Sequence, residues 1–301
     1  MNKRRIGTSN LYVSEIGLGC MSIGTDERHA THIIDSALDL GINYLDTADL
    51  YDQGLNEEFV GKTIKGKRQN IILATKVGNR LEKGKEGWTW DPSKAHIKEA
   101  VKESLMRLQT DYIDLYQLHG GTMEDHIDDT IEAFEELKEE GVIRYYGISS
   151  IRPNVIREYV NRSSIISVMM QYSILDRRPE EQVYSFLKEH NVSVVARGPV
   201  AKGLLTDRLS DNHNDYLEYS VDELKHIIPL LKEKVAPGRP LTELALRYCL
   251  HEDVVASVVV GASKLEQLQR NVEAVTSKPL TELEIQEIRS ITKASVYKQH
   301  R

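Results

Sequence analysis

The sequence predicts an α/β protein built as a closed (β/α)8 barrel, the TIM-barrel architecture. Along its 301 residues, eight short apolar runs recur, and each is followed by a segment whose apolar residues have helical spacing. This repetition favours a closed barrel of parallel strands over an open sheet. Three of the runs end close to residues that can carry chemistry, namely Asp46, Lys76 and His119. In a parallel barrel these side chains meet at one rim, where barrel enzymes hold their catalytic groups.

Composition and charge narrow the class of protein. Charged residues make up 28% and apolar residues 40% of the chain, and the formal net charge is −7 with both signs interspersed. This pattern offers no basic face for nucleic acid and no polybasic patch for a membrane surface. We expect residues 1–301 to form one domain, since α/β barrels reach this length undivided and no linker-like segment interrupts the chain.

Short sequence signals indicate a cytoplasmic protein. No apolar run approaches the ~18 residues of a membrane span, and the basic N-terminus lacks the apolar core of a secretory signal. Cys20 and Cys249 lie in apolar settings, which suits a reducing compartment and indicates neither a disulfide framework nor a cysteine metal site.

The chain begins with a predicted β-hairpin over residues 5–16, placed to plug the bottom of the barrel. A first barrel strand is predicted from Val13 to Met21, followed by a helix from Arg28 to Leu40 that Gly41 ends. The glycines near the end of this strand superficially resemble a dinucleotide-binding loop, but that fingerprint requires glycine where Ser22 stands. A tight turn between strand and helix explains them.

The remaining elements alternate in the order that a barrel requires. The predicted pairs of strand and helix are 44–48 with 55–65, 71–77 with 93–108, 112–118 with 124–140, 143–149 with 153–161, 167–172 with 179–190, 192–197 with 220–235, and 254–260 with 264–275. Helices at 241–250 and 280–291 break the alternation and are predicted to pack outside the barrel. Long loops at 80–91 and 206–220 are expected on the active rim.

Four residues form a candidate catalytic set. A tyrosine, Tyr51, follows Asp46 by five residues, and the ammonium of Lys76 is expected to lower the phenol pKa from about 10. Asp46 would hold the lysine protonated, and His119 would donate a hydrogen bond to a substrate oxygen. This set suits protonation of a carbonyl oxygen while a hydride reaches its carbon. Taken singly, each residue has an ordinary structural explanation, and placement alone leaves catalysis and structure about equally favoured.

The chain contains several motifs in order. They are Gly41–Ala48 followed by Tyr51 and Asn56-Glu57, Ala74-Thr75-Lys76, Ser104–Leu108 continuing into Asp111–His119, and Gly147-Ile148-Ser149. Together, these motifs resemble those of the aldo-keto reductase superfamily. The resemblance runs from about Arg5 to Asn271. It implies a (β/α)8 barrel that binds NADP(H) without a Rossmann domain. It also implies a catalytic tetrad of Asp46, Tyr51, Lys76 and His119, with Tyr51 as the proton donor.

The resemblance also implies a set of cofactor contacts. Ser149 and Gln171 match positions that bind the nicotinamide carboxamide, although the usual Ser-Asn pair is here Ser149-Ser150. Arg197 stands where many members place an aromatic residue, and a guanidinium can likewise stack on a planar ring. The other implied contacts are Met21 after the first strand, Gly198, Pro199, Gly203 and Leu204 in a pyrophosphate loop, and Gly261, Ser263, Lys264, Gln267, Arg270 and Asn271 around the adenosine 2′-phosphate.

Some alternatives stay open at this point. Trp88 and Trp90 either line a substrate pocket or anchor their loop, and Lys264 has a second explanation as a solvated lysine. His29 and His32 have helical spacing, but no further ligand pair indicates a metal. The expected function is NADPH-dependent reduction of aldehydes or ketones by a monomer or weak oligomer whose partner is a small carbonyl compound. The alternative is an NADPH-binding regulatory or redox-sensor module with little turnover.

Overall fold

The structure is a computed structural model that describes residues 1–81, 87–207, 214–235 and 237–301. Its strands are β1 (Lys3–Arg5), β2 (Tyr12–Ser14), β3 (Ile16–Gly19), β4 (Tyr44–Asp46), β5 (Ile72–Val77), β6 (Asn79–Arg80), β7 (Thr89–Trp90), β8 (Ile113–Leu118), β9 (Ile143–Ser149), β10 (Ser167–Gln171), β11 (Ser193–Arg197) and β12 (Val255–Gly261). Its helices are α1 (Glu27–Asp39), α2 (Leu55–Ile64), α3 (Lys94–Leu108), α4 (Ile127–Glu139), α5 (Pro153–Arg162), α6 (Val183–Glu189), α7 (Val221–Leu230), α8 (Leu241–His251), α9 (Leu265–Thr276) and α10 (Glu282–Ile291).

Eight strands close into a parallel barrel in the order β3, β4, β5, β8, β9, β10, β11 and β12. Neighbours in the barrel follow one another along the chain, with helices in the connections between them. The register pairs Asp46 with Ala74 on the next strand and Lys76 with Gln117 on the one after. The predicted (β/α)8 barrel is confirmed, and this register brings the carboxyl ends of β4, β5 and β8 to one rim.

The hairpin of β1 and β2 closes the opposite end of the barrel, as predicted. Its apolar side chains Ile6, Leu11 and Val13 are buried in the same cluster as the residues that fill the barrel interior. The guanidinium of Arg4 donates hydrogen bonds to the carbonyl oxygens of Val255, at the start of β12, and Leu250. In the described barrel, the hairpin therefore leaves open the rim at the carboxyl ends of the strands, where Asp46 and Lys76 lie.

The first barrel strand is shorter than the predicted run from Val13 to Met21. The chain leaves β2 after Ser14 and begins β3 at Ile16. Glu15 lies buried between the two strands and accepts a hydrogen bond from Arg4 Nε at 2.9 Å. This contact holds Glu15 against the hairpin. The predicted run from Val13 to Met21 is therefore divided, with its first residues in β2 of the hairpin and the next in β3 of the barrel.

The two helices outside the eightfold alternation are α7 and α10, so the prediction was wrong for one of them. Helix α8 packs on β12 and α9, and every residue from Leu244 to Leu250 is buried, so α8 belongs to the ring around the barrel. Helix α7 contacts the turn at Leu231–Val235, which packs on α10. The predicted capping box of Thr281 and Glu284 at α10 is confirmed. Both α7 and α8 lie between β11 and β12 in the chain, so only their packing shows which of the two belongs to the ring around the barrel.

The described parts of the two long loops, with Trp88, Trp90 and Tyr216, lie near the rim, as predicted. In the first, β6 and β7 pair as a short antiparallel ribbon, while residues 82–86, including Gly84, lie outside the described residues. In the second, residues 208–213 lie outside them too. Within the described ranges, no helix is long and apolar enough to cross a membrane.

Candidate active site

The two-residue period of the strands determines which side chains enter the barrel. On β4, β5 and β8 it turns Asp46, Lys76 and Gln117 inward, and His119 continues the same face beyond the end of β8. Below them lies an apolar layer that includes Leu115. The three strand-end residues predicted from sequence therefore come together above a packed core, as in other barrels of this type.

Lys76 is the centre of the site. Its ammonium donates to Asp46 Oδ2 at 2.7 Å, to the backbone oxygen of Thr47 at 2.7 Å and to the Tyr51 hydroxyl at 3.3 Å. Only 1% of its side chain is exposed, so these three acceptors replace the water that the ammonium loses. Tyr51 is thereby placed beside a fixed positive charge.

The loop after β4 fixes where Tyr51 lies. Asp52 and Gln53 adopt left-handed backbone conformations, with φ of 49° and 56°, and Gly54 has φ of 91°. A side chain at Gly54 would come within 2.8 Å of Arg107 Cδ, so this position requires glycine. The turn therefore returns the chain sharply after Tyr51 and holds the phenol over Lys76.

The electrostatics of Tyr51 differ from the expectation. Burial raises the pKa of Tyr51, and the opposing effect of Lys76 is not large enough to reverse the shift. The predicted lowering of this pKa is therefore wrong for the structure, since the sequence shows the ammonium but not the desolvation. Burial alone would lower the pKa of Lys76, yet Asp46 and Tyr51 hold it above its usual value.

His119 is neutral throughout the ordinary pH range. Burial, with smaller contributions from Lys76 and Arg197, lowers its pKa to about 3. Its ring lies 6.1 Å from that of Tyr51, edge to face, and its buried Nδ1 has no hydrogen-bond partner among the described residues. The neutral imidazole can thus donate one hydrogen bond without carrying a charge.

A cavity of about 890 Å³ opens at this rim. Asp46, Tyr51, Lys76 and His119 all line it, and so do Trp88 and Trp90. Its size falls in the usual range for small-molecule sites. The two tryptophans therefore belong to the cavity wall, and Trp90 is also anchored through its Nε1, which donates to Asp125 Oδ1 at 2.9 Å.

Sequence reasoning missed two residues that touch this set. Gln117 is fully buried, and its amide donates to Asp46 Oδ1 at 3.4 Å. The two-residue period of β8, counted back from His119, could have identified it. Asp49 lies buried between β4 and Tyr51, with one carboxyl oxygen lacking any partner in the described chain. Burial, followed by the nearby charge of Glu57, raises the pKa of Asp49 to about 8.

The residues predicted to contact a cofactor fall into two groups. Seven of them line the cavity: Met21, Ser149, Gln171, Arg197, Gly198, Pro199 and Gly261. The other seven do not: Gly203, Leu204, Ser263, Lys264, Gln267, Arg270 and Asn271. The cavity thus joins the catalytic set to the predicted carboxamide contacts, to part of the predicted pyrophosphate loop and to Gly261, while the remaining predicted contacts do not line it.

Neighbouring side chains limit what Gln171 and Ser150 can offer a ligand. The amide nitrogen of Gln171 donates to Asp176 at 2.9 Å and to the Tyr216 hydroxyl at 3.3 Å, which uses both of its hydrogens. Its oxygen accepts from Arg197 at 3.2 Å and keeps a second lone pair. The Ser150 hydroxyl accepts from the backbone N–H of Arg152. Gln171 can therefore accept from a carboxamide but no longer donate to one.

The turn between β12 and α9 presents converging donors. The backbone N–H and the hydroxyl of Ser263 both donate to Gln267 Oε1, at 3.0 and 3.1 Å. Lys264 is the exposed residue at the start of α9, and Arg270 Nε donates to the Glu266 carbonyl. The two Ser263 donors converge on one oxygen atom, an arrangement that also suits an oxygen of an anionic ligand. Such a ligand would take the place of the Gln267 side-chain amide. His29 Nε2 lies 3.0 Å from the Ser263 carbonyl oxygen, and no cluster of three metal-ligating side chains occurs in the described ranges.

Comparison with known proteins identifies the family. The sequence profile of the Aldo/keto reductase family matches residues 15–293. The chain belongs to the aldo/keto reductase family. It is 62% identical over 307 aligned positions to the uncharacterized oxidoreductase YqkF of Bacillus subtilis strain 168, with 100% of both chains covered. Enzymes of this family are oxidoreductases that generally use NAD(P)H.

Solved structures agree with this assignment. The holo form of aldo-keto reductase AKR11C1 from Bacillus halodurans matches with a TM-score of 0.96 and 67% identity, covering 100% of this chain and 99% of that one. The apo form of the same enzyme matches with a TM-score of 0.88 and 63% identity over the same shares. The backbone of this aldo/keto reductase is therefore closer to the holo form than to the apo form.

The raised pKa of Asp49 gives a test of the buried site. Between an unfolded pKa near 3.8 and a folded pKa of about 8, the folded protein binds one more proton, so stability falls as pH rises through this window. Each pH unit within this window removes on the order of 1 kcal/mol of stability. We expect Asp49→Asn, which imitates the protonated acid, to unfold at higher urea concentration than the native protein, by a margin that grows from pH 5 to pH 8. Asp52→Asn, an exposed change in the same loop, should show no such trend, and a constant margin for Asp49→Asn would contradict the assignment.

Proposed function

We propose that this aldo/keto reductase reduces aldehydes or ketones to alcohols with NADPH, and that residues 1–301 act as one catalytic domain. The observation that carries the proposal is the contact of the buried Lys76 ammonium with both Asp46 and Tyr51 at a cavity rim. When bound, NADPH supplies the hydride that reduces the carbonyl carbon.

The side chains of the rim would supply the proton. Tyr51 gives its hydroxyl proton to the carbonyl oxygen, and Lys76, 3.3 Å from that hydroxyl, stabilises the phenolate that remains. Asp46 keeps Lys76 protonated, and Gln117 holds Asp46. His119 donates a neutral hydrogen bond to the same carbonyl oxygen and so orients the substrate.

The chain has features that fit a dinucleotide along this rim. The loop after β11 has left-handed backbone at Gly198, Ala201, Lys202 and Gly203, and Gly198 and Lys202 line the cavity. Ser149 and the remaining lone pair of Gln171 suit the nicotinamide carboxamide, and Arg197 lies beside them on the cavity wall. The donors of Ser263, with Lys264, suit a 2′-phosphate.

The catalytic role of Tyr51 has a direct test. We expect Tyr51→Phe to lose turnover of a panel of aldehydes and ketones by roughly 10²- to 10⁴-fold, because the general acid is removed. Loss of NADPH absorbance reports turnover, and fluorescence titration reports NADPH binding, which should change less than about 2-fold. Tyr145→Phe is the control, since its hydroxyl contacts Asn10 at the plugged end.

Two outcomes of that experiment would redirect the proposal. Retention of full turnover by Tyr51→Phe would remove the tyrosine from the chemistry. Tight NADPH binding by the native protein without turnover of any panel member would favour the regulatory or redox-sensor alternative.

The preference for NADPH over NADH tests the proposed phosphate site. We expect Lys264→Ala to weaken NADPH binding by roughly 10-fold or more while NADH binding changes less than about 2-fold, because a charge-assisted contact to the 2′-phosphate is lost. Lys278→Ala, an exposed change just after the other end of α9, should alter neither. An unchanged ratio of the two dissociation constants in Lys264→Ala would place the phosphate elsewhere.

A further inference from the structure

The cavity carries more positive charge than the proposed chemistry uses. Its charged lining residues are Asp46, Lys76, Arg152, Arg197 and Lys202. Asp46 and Lys76 form an ion pair and balance one another. Arg197 and Lys202 belong to the stretch proposed to hold the cofactor. Arg152 remains as a cavity cation to which neither the catalysis nor the cofactor assigns a task.

Arg152 is fixed in place beside the catalytic residues. It directly precedes α5, and its Nη1 donates to the carbonyl oxygen of Gly121 at 2.9 Å. Gly121 follows His119 by two residues, and both line the same cavity as Arg152. Arg152 makes no side-chain cap for α5, so its side chain is directed by the contact with Gly121 rather than by the helix.

The rest of the guanidinium has no protein partner in the described part of the chain. Nε and Nη2 make no hydrogen bond or ion pair there, although Arg152 is partly buried. Asp125, an acid on the same side of the cavity, is engaged elsewhere, since it accepts from Trp90 at 2.9 Å and from Thr122 at 2.7 and 2.9 Å. The Nε and Nη2 edge of an arginine has the geometry that binds a carboxylate with two hydrogen bonds.

The position of Arg152 separates it from the proposed phosphate sites. It follows β9, whereas the pyrophosphate loop follows β11 and the 2′-phosphate turn follows β12. Its nearest neighbours along the cavity wall include Gly120 and Gly121, and the Trp90 ring lies 3.1 Å from where a side chain on Gly120 would begin. Arg152 and the tryptophans therefore share the substrate side of the cavity.

We infer that Arg152 binds a carboxylate on the carbonyl substrate and makes this enzyme selective for aldehydes or ketones that carry an acid group. The inference rests on the proposed reductase function and names its substrate class. Between the carbonyl at Tyr51 and the carboxylate at Arg152, the substrate would pass the apolar faces of Trp88 and Trp90, so an aromatic or alkyl spacer fits.

A binding experiment tests this without depending on turnover. The chain has two tryptophans and both line the cavity, so quenching of their fluorescence reports ligand binding there. With NADP⁺ present to prevent reduction, we would titrate 4-carboxybenzaldehyde and its neutral methyl ester, methyl 4-formylbenzoate. We expect the native protein to bind the acid roughly 10- to 100-fold more tightly than the ester, because only the acid forms charge-assisted hydrogen bonds.

Three variants separate a specific contact from a structural effect. Arg152→Met should weaken binding of the acid by roughly 10-fold or more and of the ester by less than about 2-fold, and Arg152→Lys should restore part of the loss. Arg157→Met removes a charge from the same helix, where the side chain contacts Gln182 outside the cavity, and should change neither constant. Higher salt should weaken binding of the acid alone.

Several results would overturn the inference. They are equal binding of acid and ester by the native protein, equal weakening of both in Arg152→Met, or no change in Arg152→Met, as expected of a solvated surface arginine. If Arg152→Met fails to fold, the native protein and Arg152→Lys still test the inference. For both proteins, binding of the acid and of the ester would be compared at low and at high salt. Failure of the proposed reductase function would appear separately, as absence of turnover or of NADP⁺ binding, and the titration without NADP⁺ would still test Arg152.

Discussion

The site depends on a lysine ammonium buried at the mouth of a barrel. An isolated charge with 1% exposure would be strongly unfavourable, and Lys76 is tolerated because Asp46, Thr47 and Tyr51 all accept hydrogen bonds from it. Removing one member of such a buried pair typically costs about 3–5 kcal/mol, since the other charge is left uncompensated. The Tyr51 hydroxyl, the Lys76 ammonium and the Asp46 carboxylate are thus one electrostatic unit, held together by hydrogen bonds to Lys76.

The barrel provides this unit through simple geometry. Consecutive parallel strands with a two-residue period bring Asp46, Lys76 and Gln117 inward at neighbouring positions. The hairpin at the other end fills the interior below them. The interior beneath the site is therefore filled by side chains, and the described cavity opens above it, lined in part by Tyr51.

The sequence predicted the parts of this structure that depend on local order. Asp46, Lys76 and His119 could be placed on one rim because each follows an apolar run, and strand ends converge in a parallel barrel. The motif resemblance then indicated the family, which the profile match confirms. The α10 capping box was visible because Thr281 and Glu284 lie three residues apart.

Features that depend on packing between distant residues were missed or wrong. Gln117 meets Asp46 across 71 residues of chain, and the assignment of α8 to the helical ring depends on its packing against β12 and α9. The direction of the Tyr51 pKa shift was wrong because desolvation outweighs a charge that the sequence does show. No sequence motif includes Arg152, and the role proposed for it depends on its place in the cavity.

The most direct test of carbonyl reduction at this rim follows a label. The native protein would be given NADPH with deuterium at both C4 positions of the nicotinamide, together with the carbonyl compound that it consumes fastest. We expect mass spectrometry to find one deuterium in the alcohol product, on the carbon that was the carbonyl, because hydride transfer is direct and only the hydroxyl proton comes from Tyr51. An unlabelled alcohol, or consumption of NADPH with no alcohol formed, would contradict the proposed reaction.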